Sequence, residues 1–384
     1  MRILLVGEFS RLHISLKEGL AALGHDVTII ANGDGFKNYP TDLSTKAKWC
    51  ESKIGNVVRQ IIYRITGFDI ATLEFGIRFY FHVVKLQNFD IVQLINEAPI
   101  QTIPILERFL LRKIFKHNPK TFLLCCGVDY MVAKHLIDSK ERYSIMNLYF
   151  ENPKSHKEYQ FILDYLKPNH QKTHRLVYKN ICGVIASDID YVNPIKTNFK
   201  YLGLIPNPIN VDTINSTTLA INKKIIIFLG VNRGNYYQKG IQYFEKALDA
   251  VKKKYTEKIE IIIAENLPYQ EYILQYNRCH ILLDQVFSYD QGYNALEAMA
   301  KGKVVFTGAE AEFNNHYQLT RKVAINATPD VQELIDNLSF LIENPNEILK
   351  ISEHARSFVQ TEHHYINISK KYVDMWQKHQ KPIV

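Results

Sequence analysis

The chain contains 384 residues, of which 46% are hydrophobic and 22% are charged, and its formal net charge at pH 7 is +8. A chain of this length holds two or three domains, and this mixture of apolar and charged residues excludes a wholly disordered protein. No apolar run reaches the roughly 18 to 20 residues of a membrane-spanning helix, and the N-terminal residues lack a small-residue cleavage site. Neither a transmembrane protein nor a signal peptide is therefore expected.

The cysteine spacing and the net positive charge indicate which compartment and which binding partners are expected. The five cysteines show no CxxC spacing, so free thiols in a reducing compartment are expected. A positive charge suits nucleic acid, an anionic membrane surface or acidic small substrates. Neither zinc-finger spacing nor an RNA-binding aromatic motif is present, which disfavours nucleic acid. The densest basic stretch, residues 112–120, is either a solvated helix end or a contact for lipid headgroups.

The first half of the chain alternates strand-like and helical patterns. Residues 2–6 form a continuous apolar run, residues 12–24 repeat leucine at helical spacing, and residues 27–31 are again strand-like. Such a β-α-β unit predicts a parallel sheet. The same alternation continues with predicted strands at 89–95, 121–126 and 182–186, and a predicted helix at 103–115, and residues 201–205 lead into a turn.

A second β-α series follows the turn Pro206-Asn207-Pro208 and a polar stretch. Because ligands of such sheets bind beyond the carboxyl ends of the strands, two domains of this kind place the site between them. The predicted fold class is therefore α/β, with two Rossmann-like domains facing a central cleft. Strands are predicted at 224–229, 259–264, 280–283 and 303–306, and helices at 240–252, 268–277, 293–301 and in several segments after residue 329.

Several common enzyme motifs are missing. The first strand-to-helix turn reads GEFSRLH, without the GxGxxG of nicotinamide-dependent dehydrogenases. The sequence also lacks a Walker A loop, a GxSxG elbow and an HExxH zinc motif. An ordinary dehydrogenase, a P-loop NTPase, a serine hydrolase of that type and a zinc protease are all disfavoured.

One candidate site lies just after the predicted strand 224–229. Gly230, Asn232, Arg233 and Lys239 follow this strand and lead into a helix. A guanidinium can bind a diphosphate through forked hydrogen bonds, and an ammonium can bind it as a point charge. The alternative is that these are two ordinary surface cations in a loop.

The second candidate is the loop and helix at residues 284–302. Gly292, Tyr293 and Asn294 place backbone amides at a predicted helix start, which favours an anion. Glu297 follows in the same helix. Its carboxylate either binds the two hydroxyls of a ribose or only complements the helix dipole.

Together these segments resemble GT-B-fold glycosyltransferases, near the family 4 retaining enzymes (glycosyl transferases group 1). The resemblance covers nearly the whole chain. Its most specific part is LEAMAKGKVVFTG at Leu296–Gly308, supported by GVIAS at 183–187, the passage Ile205–Asn210 and the stretch Gly230–Gly240. It implies an acceptor-binding domain at 1–206, a nucleotide-sugar-binding domain at 207–365 and a C-terminal helix at 366–384 that packs back on the first domain.

The resemblance also implies roles for single residues. Arg233 and Lys239 would bind the donor diphosphate, and Glu297 would bind the ribose. The first Glu of the family's Glu-seven residues-Glu motif falls at Tyr289, where this chain departs from the pattern. The neighbouring Asp290 either takes over the sugar contact or, like Tyr289, makes none.

Two loops of the first half are also expected at the cleft. The family's usual Gly-Gly is replaced by Glu8–Arg11, so Arg11 and His13 would face the donor or the acceptor. The loop ending at Asp129 follows a strand and should line the same cleft. The predicted catalytic residues are Arg233, Lys239, His13 and Asp129, and the predicted donor-binding residues are Gly230, Asn232, Asp290, Gly292, Tyr293, Asn294 and Glu297.

The implied function is transfer of a hexosyl group from a nucleoside-diphosphate sugar to a hydroxyl of a glycan or lipid-linked acceptor. Retention of configuration, independence from metal and a role in bacterial surface polysaccharide (capsule, O-antigen or lipopolysaccharide) are expected. The enzyme would be cytoplasmic or peripheral at the inner leaflet, with Arg112, Lys113 and Lys116 near anionic lipid. The alternatives are a soluble acceptor, a sugar-nucleotide epimerase of the same architecture, and a degenerate nucleotide- or glycan-binding subunit.

Overall fold

The computed structural model describes residues 1–35, 39–138, 141–151, 153–214, 220–221, 223–265, 267 and 269–379. Within them, a seven-stranded sheet in the first half has the order β3-β2-β1-β4-β5-β6-β7, and every pair of neighbouring strands is parallel. Its strands are β1 Arg2–Val6, β2 Asp26–Ala31, β3 Leu43–Ser44, β4 Ile91–Leu94, β5 Thr121–Cys125, β6 Gly183–Ala186 and β7 Tyr201–Leu204.

The five-stranded sheet of the second half has the order β12-β11-β10-β8-β9 and is also parallel. The two sheets confirm the predicted α/β fold class. Continuous apolar runs form the central strands because helices cover both faces of such sheets. The strands are β8 Ile225–Val231, β9 Ile259–Glu265, β10 Ile281–Leu283, β11 Val304–Thr307 and β12 Ile325–Asn326.

Helices connect the strands of each sheet. Those of the first half are α1 Leu12–Ala22, α2 Lys53–Thr66, α3 Ala71–His82, α4 Pro104–His117, α5 Tyr130–Asp138, α6 Asn147–Glu151, α7 Gln160–Asp164, α8 Pro168–Asn180 and α9 Val192–Ile195. Those of the second half are α10 Tyr236–Lys239, α11 Ile241–Tyr255, α12 Tyr269–Arg278, α13 Tyr293–Ala300, α14 Ala311–His316, α15 Val331–Glu343, α16 Pro345–Glu362 and α17 Tyr365–Lys378. Helices α2 and α3, and α5 to α8, are additions to the sequence prediction.

The last helix, α17, lies against α1 of the first half. The two backbones approach so closely that a Cβ at Gly19 would lie 2.4 Å from the carbonyl oxygen of Tyr365. Ser369 Oγ donates to the carbonyl of Leu16 at 3.2 Å, and the buried Trp376 indole donates to Gln93 Oε1 at 3.0 Å. The C-terminal helix thus covers the first sheet, while the predicted domain limits remain predictions.

The state of the cysteines and the lengths of the helices can be compared with the sequence predictions of free thiols and of no membrane-spanning helix. All five cysteines are free, and four of them are buried, with Cys126 partly exposed. Among the described residues, no helix is both long and apolar enough to cross a bilayer.

Candidate active site

Loops that follow the strands of the two sheets contact one another, and the region between them is called the cleft below. Tyr293, the first residue of α13, reaches over from the second half, and its hydroxyl lies 2.5 Å from Ser15 Oγ in α1. The same hydroxyl donates to the carbonyl of Pro208 at 3.0 Å. The buried side chain of Tyr293 therefore joins the two halves. Its predicted contact with the donor, through the backbone amide, remains a prediction.

The loop after β8 carries Arg233 at the outer edge of this cleft. Asn232 caps a single helical turn at 233–235, with its Oδ1 accepting from the Gly234 amide at 2.9 Å. Arg233 forms a forked pair with Glu265, at 2.6 Å for both hydrogen bonds, and lies 4.9 Å from the ring centre of Tyr236. The Arg233 side chain is 56% exposed, so a ligand can reach it from solvent.

The position of Glu265 follows from the register of the second sheet. Val231 at the end of β8 pairs with Glu265 at the end of β9, so the carboxylate lies beside the loop that carries Arg233. The hydrogen bonds from Arg233 lower the pKa of Glu265, and those same bonds raise the pKa of Arg233. The guanidinium is held in place, but it already has an anionic partner. Glu265 was not among the site residues predicted from the sequence.

Lys239 reaches deeper into the cleft than Arg233. Its Nζ donates to Asp284 Oδ1 at 2.7 Å, and only 2% of the Asp284 side chain is exposed. Asn294 Nδ2 donates to the same carboxylate oxygen at 3.0 Å. Asp284 thus connects the lysine to the first turn of α13. Asp284 was not among the predicted site residues, although its place directly after β10 could have indicated a role.

Helix α13 presents its N-terminus at the same place. Gly292 caps the helix in an extended conformation and uses no side chain, which leaves the first amides of the helix open to an anion. Glu297 lies in the second turn, partly buried, and its negative charge raises the pKa values of Tyr293 and Tyr276, although desolvation is the larger cause for both. Lys239 and Asn294 are therefore grouped around one helix end through Asp284, and Glu297 lies one turn further along the helix.

His13 lies in the first turn of α1 and is fully buried. Its Nδ1 lies 2.7 Å from the carbonyl oxygen of Gly7, and because a carbonyl can only accept, Nδ1 carries the proton. Burial lowers the pKa of His13 to about 4, so the ring is neutral at pH 7. Its Nε2, which has no hydrogen-bond partner among the described residues, keeps a free lone pair.

Arg11 links this loop to α13. The hydroxyl oxygen of Tyr293 lies 3.4 Å from the Arg11 carbonyl oxygen. The Arg11 guanidinium donates to Glu18 at 3.1 Å. Desolvation is the largest influence on the pKa of Arg11 and lowers it, but the nearby carboxylates, Glu18 first and Glu297 among them, leave that pKa raised overall. Arg11 and Glu297 thus face the same region of the cleft from opposite sheets.

Asp129 lies at the carboxyl end of β5 but points away from solvent. Its carboxylate is fully buried and accepts from the Val132 amide at 2.9 Å, which caps α5. Burial and the nearby Glu97 raise the pKa of Asp129. Glu97 in turn lies 2.7 Å from His174 Nδ1. The structure thus places Asp129 in a buried polar cluster, apart from Lys239, and its predicted catalytic role remains a prediction.

Asp290 and Asp190 form a reciprocal contact between the two halves, named here the aspartate clasp. Asp190 accepts from the backbone amides of Tyr289 at 2.9 Å and Asp290 at 3.3 Å, while Asp290 accepts from the Ile189 amide at 3.2 Å. Desolvation raises the pKa values of these carboxyl groups and of Asp188, and repulsion from a neighbouring aspartate adds to it for Asp188 and Asp190. A sugar contact by Asp290 remains a prediction.

Tyr289 also joins the two halves. Its hydroxyl oxygen accepts from the Tyr143 amide at 3.2 Å, and the two rings lie 6.2 Å apart. Close by, Arg142 pairs with Glu310 at 2.9 Å and Glu312 at 3.0 Å. In this chain, the position where the family pattern expects its first Glu therefore holds a residue of the contact between the halves.

Within the described part of the chain, no group of three or more His, Cys, Asp or Glu side chains is placed to hold a metal ion. The cations at the cleft are protein side chains, Lys239 and Arg233, and the predicted independence from metal remains a prediction.

The comparison of sequences gives one family. Residues 234–374 match the sequence profile of the glycosyl transferase-like family. This region begins in the loop that carries Arg233 and includes Lys239, Asp284 and α13. No curated protein sequence matches the chain significantly.

Several solved structures share the architecture over nearly the whole chain. Sucrose-phosphate synthase from Thermosynechococcus elongatus has a TM-score of 0.59 at 14% identity, covering 98% of each chain. HepE from Anabaena, in complex with UDP-glucose, has a TM-score of 0.57 at 12% identity, covering 98% of this chain and all of its own. UDP-GlcNAc 2-epimerase from Neisseria meningitidis, bound to UDP-GlcNAc, has a TM-score of 0.52 at 14% identity over 98% and 100%. At these identities, the similarity shows a shared fold.

Proposed function

The chain has the GT-B fold and carries a glycosyl transferase-like domain at residues 234–374, and on this basis we propose that it is a glycosyltransferase. It transfers a hexosyl group from a nucleoside-diphosphate sugar to an acceptor hydroxyl. The bound UDP-glucose and UDP-GlcNAc of two structures with this fold support a nucleotide-sugar donor.

The observation that carries the proposal is the group formed by Lys239, Asp284 and the N-terminus of α13. Asp284 holds the ammonium at 2.7 Å, and Asn294 bonds to the same oxygen. An ammonium and open helix amides at one point form a site for a diphosphate. Because the leaving diphosphate gains negative charge in the transition state, donors held in advance at this point stabilise it and accelerate transfer.

Arg233 supplies a second cation at the outer edge of the site. In the present structure its guanidinium is paired with Glu265. A diphosphate that binds here either displaces Glu265 from the guanidinium or shares the guanidinium with it. The contact between Arg233 and the diphosphate is therefore proposed to form late in donor binding. Glu297, in the second turn of α13, is proposed to bind the ribose hydroxyls.

His13 is proposed to contact the reacting sugar or the acceptor. At pH 7 the ring is neutral, with Nδ1–H donated to Gly7 and a lone pair on Nε2. The lone pair can accept a hydrogen bond from a substrate hydroxyl and orient it. Its burial between the two halves suits a group that is enclosed when the substrates are bound.

The finer features of the reaction follow from the family resemblance. Retention of configuration, independence from a divalent metal and a role in bacterial surface polysaccharide assembly are part of the proposal. The acceptor is a glycan or a lipid-linked glycan. Protein cations at the diphosphate supply the charge that a metal ion supplies in other transferases.

A sugar-nucleotide epimerase is the second candidate, because the epimerase from Neisseria meningitidis shares the fold. An epimerase converts or hydrolyses the donor without any acceptor. Acceptor-dependent release of nucleoside diphosphate therefore separates the two functions, and a degenerate binding subunit would release none.

Donor binding through Lys239 is tested by thermal unfolding with UDP, GDP, ADP and CMP and their sugar conjugates. A ligand at about 100 times its Kd adds roughly 2.7 kcal/mol to the stability, which shifts the unfolding midpoint by a few degrees. We expect Lys239→Gln to lose that shift. The exposed Lys252 on α11 offers the matched control Lys252→Gln, which should keep it. A shift retained in Lys239→Gln would contradict the proposed site.

A further inference from the structure

Helix α2 carries an apolar stripe that no part of the described chain covers. Ile54, Val57, Ile61 and Ile65 follow one another at helical spacing, and their side chains are 78%, 57%, 51% and 78% exposed. All fourteen residues of α2 are described, and only Gly55 among them is buried. An amphipathic helix of a globular protein normally turns such a stripe toward the core, whereas α2 turns it toward solvent.

Exposed apolar residues are concentrated in this part of the chain. Of the 20 large apolar side chains that are exposed in the described residues, 13 lie between positions 49 and 109. Beyond α2 they include Tyr80 on α3 and Phe109 on α4, whose rings lie 6.2 Å apart. Contiguous exposed apolar surface marks a site of interaction with a protein or a membrane.

The polar residues of this region are basic. Within α2 the charged residues are Lys53, Arg59 and Arg64, with no acidic residue. Residues 46–85 contain seven Lys or Arg and three Asp or Glu. Beside the contact between Tyr80 and Phe109, Lys113 Nζ lies 5.5 Å from the ring centre of Phe109. An apolar helix face bordered by Lys and Arg is complementary to anionic lipid.

The helix is held in its position without help from the stripe. Ser52 Oγ accepts from the Gly55 amide at 3.1 Å, and a Cβ at Gly55 would lie 1.9 Å from the Trp49 carbonyl oxygen, so the N-terminal turn packs tightly. Arg59 forms a forked pair with Asp69, at 2.7 Å and 2.5 Å. These contacts use the polar side of α2, and they leave the apolar side preformed and free.

We propose that α2 lies in the headgroup region of an anionic lipid bilayer, with Ile54, Val57, Ile61 and Ile65 inserted and Lys53 and Arg64 on the lipid phosphates. The surface is distinct from the basic stretch at 112–120, where Lys113 lies beside Phe109. This inference adds a partner to the proposed function. Access to a lipid-linked acceptor rests on that function, but binding to the bilayer does not.

Tryptophan fluorescence of the full chain tests the proposal directly. The chain has two tryptophans. Trp49 precedes α2 and is 50% exposed, whereas Trp376 is fully buried. With vesicles of phosphatidylcholine containing about one third phosphatidylglycerol, the emission should shift to shorter wavelength, and sedimentation with the vesicles should follow. Vesicles of phosphatidylcholine alone should give much weaker binding, and high salt should weaken binding to the anionic vesicles.

Two variants separate the contributions of the stripe and the charges. Ile54→Ser with Ile65→Ser, and separately Lys53→Gln with Arg64→Gln, should each weaken vesicle binding by at least about tenfold. The matched control is Leu274→Ser, which removes an apolar side chain that is 64% exposed on α12. It should bind vesicles as the wild type does. Because the substituted side chains are exposed, all variants should keep the unfolding midpoint.

The proposal is overturned by any of three results. The first is no binding to anionic vesicles. The second is binding that the Ile54 and Ile65 substitutions leave unchanged. The third is a stable dimer in solution that those substitutions dissociate, which would assign the stripe to a second copy of the chain. The nucleotide thermal shift, measured without lipid, reports the donor site independently, so failure of one proposal is distinguishable from failure of the other.

Discussion

Single residues of the site are positioned by partners that lie far from them in the sequence. Lys239 is held by Asp284, and Arg233 by Glu265. The first pair is largely buried and the second is exposed. An exposed ion pair adds little to stability, so Arg233 can be removed without loss of the fold. Removal of Lys239 would instead leave the buried carboxylate of Asp284 without its cation.

Arg233→Ala should lower turnover about a hundredfold, the loss that follows when one preorganised donor to the developing charge is removed. Glu265→Gln, which weakens the competing pair but keeps the arginine, should leave turnover within a few fold of wild type. Turnover is measured as acceptor-dependent release of nucleoside diphosphate. A well-folded Arg233→Ala protein with near-normal turnover would exclude Arg233 from the diphosphate site.

At the scale of elements, helices α11 and α2 have similar amphipathic patterns, but one buries its apolar face and the other exposes it. Helix α11 buries its apolar stripe, including Phe244, Leu248 and Val251, against the second sheet, whereas α2 exposes its stripe. Helix α17 meets α1 at Gly19, where the backbones touch. The contact between α1 and α17 is therefore set by one small residue.

Gly19→Ala should destabilise the protein by about 1–3 kcal/mol, because the added methyl overlaps Ser369 Oγ and the Tyr365 carbonyl and forces the two helices apart. Ala21→Ser, on an exposed position of the same helix, should change the stability by no more than about 0.5 kcal/mol. Urea unfolding measures both free energies. Equal stability of Gly19→Ala and wild type would show that the added methyl group meets no close contact between α1 and α17.

At the scale of the whole molecule, the aspartate clasp joins the two halves near the candidate site. Asp290 is buried, and Asp188 and Asp190 are partly buried. Desolvation is the largest cause that raises the pKa values of all three carboxyl groups, and repulsion from a neighbouring aspartate adds to it for Asp188 and Asp190. The folded protein therefore holds protons that the unfolded chain releases. The stability contributed in this way is complete below the ordinary carboxyl range and is lost as the pH rises through the raised pKa values.

Wild-type protein should therefore lose more stability between pH 5 and pH 8 than the double variant Asp190→Asn, Asp290→Asn. The single amide oxygen of each Asn can still accept one of the two backbone hydrogen bonds that the carboxylate accepts, but the amide does not ionise. The difference should be about 1 kcal/mol or more, since one pKa unit corresponds to about 1.36 kcal/mol. Urea unfolding at both pH values measures it, and equal pH dependence in the two proteins would contradict the assigned protonation.

The sequence by itself determined the α/β class and the strand-and-helix order around the site, because apolar runs and helical spacing are local properties of the chain. Strands β1, β8 and β10 and helix α13 are found within two residues of their predicted limits. The place of Arg233 was also predictable, since it closely follows strand β8. Helices α2 and α3 were not predicted.

Only the tertiary structure decided which residues meet. Glu265 beside Arg233, Asp284 beside Lys239, and Asp190 beside Asp290 are pairs separated by 32, 45 and 100 residues, and no local pattern encodes such a pairing. The same holds for burial. The stripe of α2 has the pattern of a buried helix face, and its exposure depends on what the rest of the chain packs against it. Local sequence determines the elements, whereas their partners depend on how the whole chain packs.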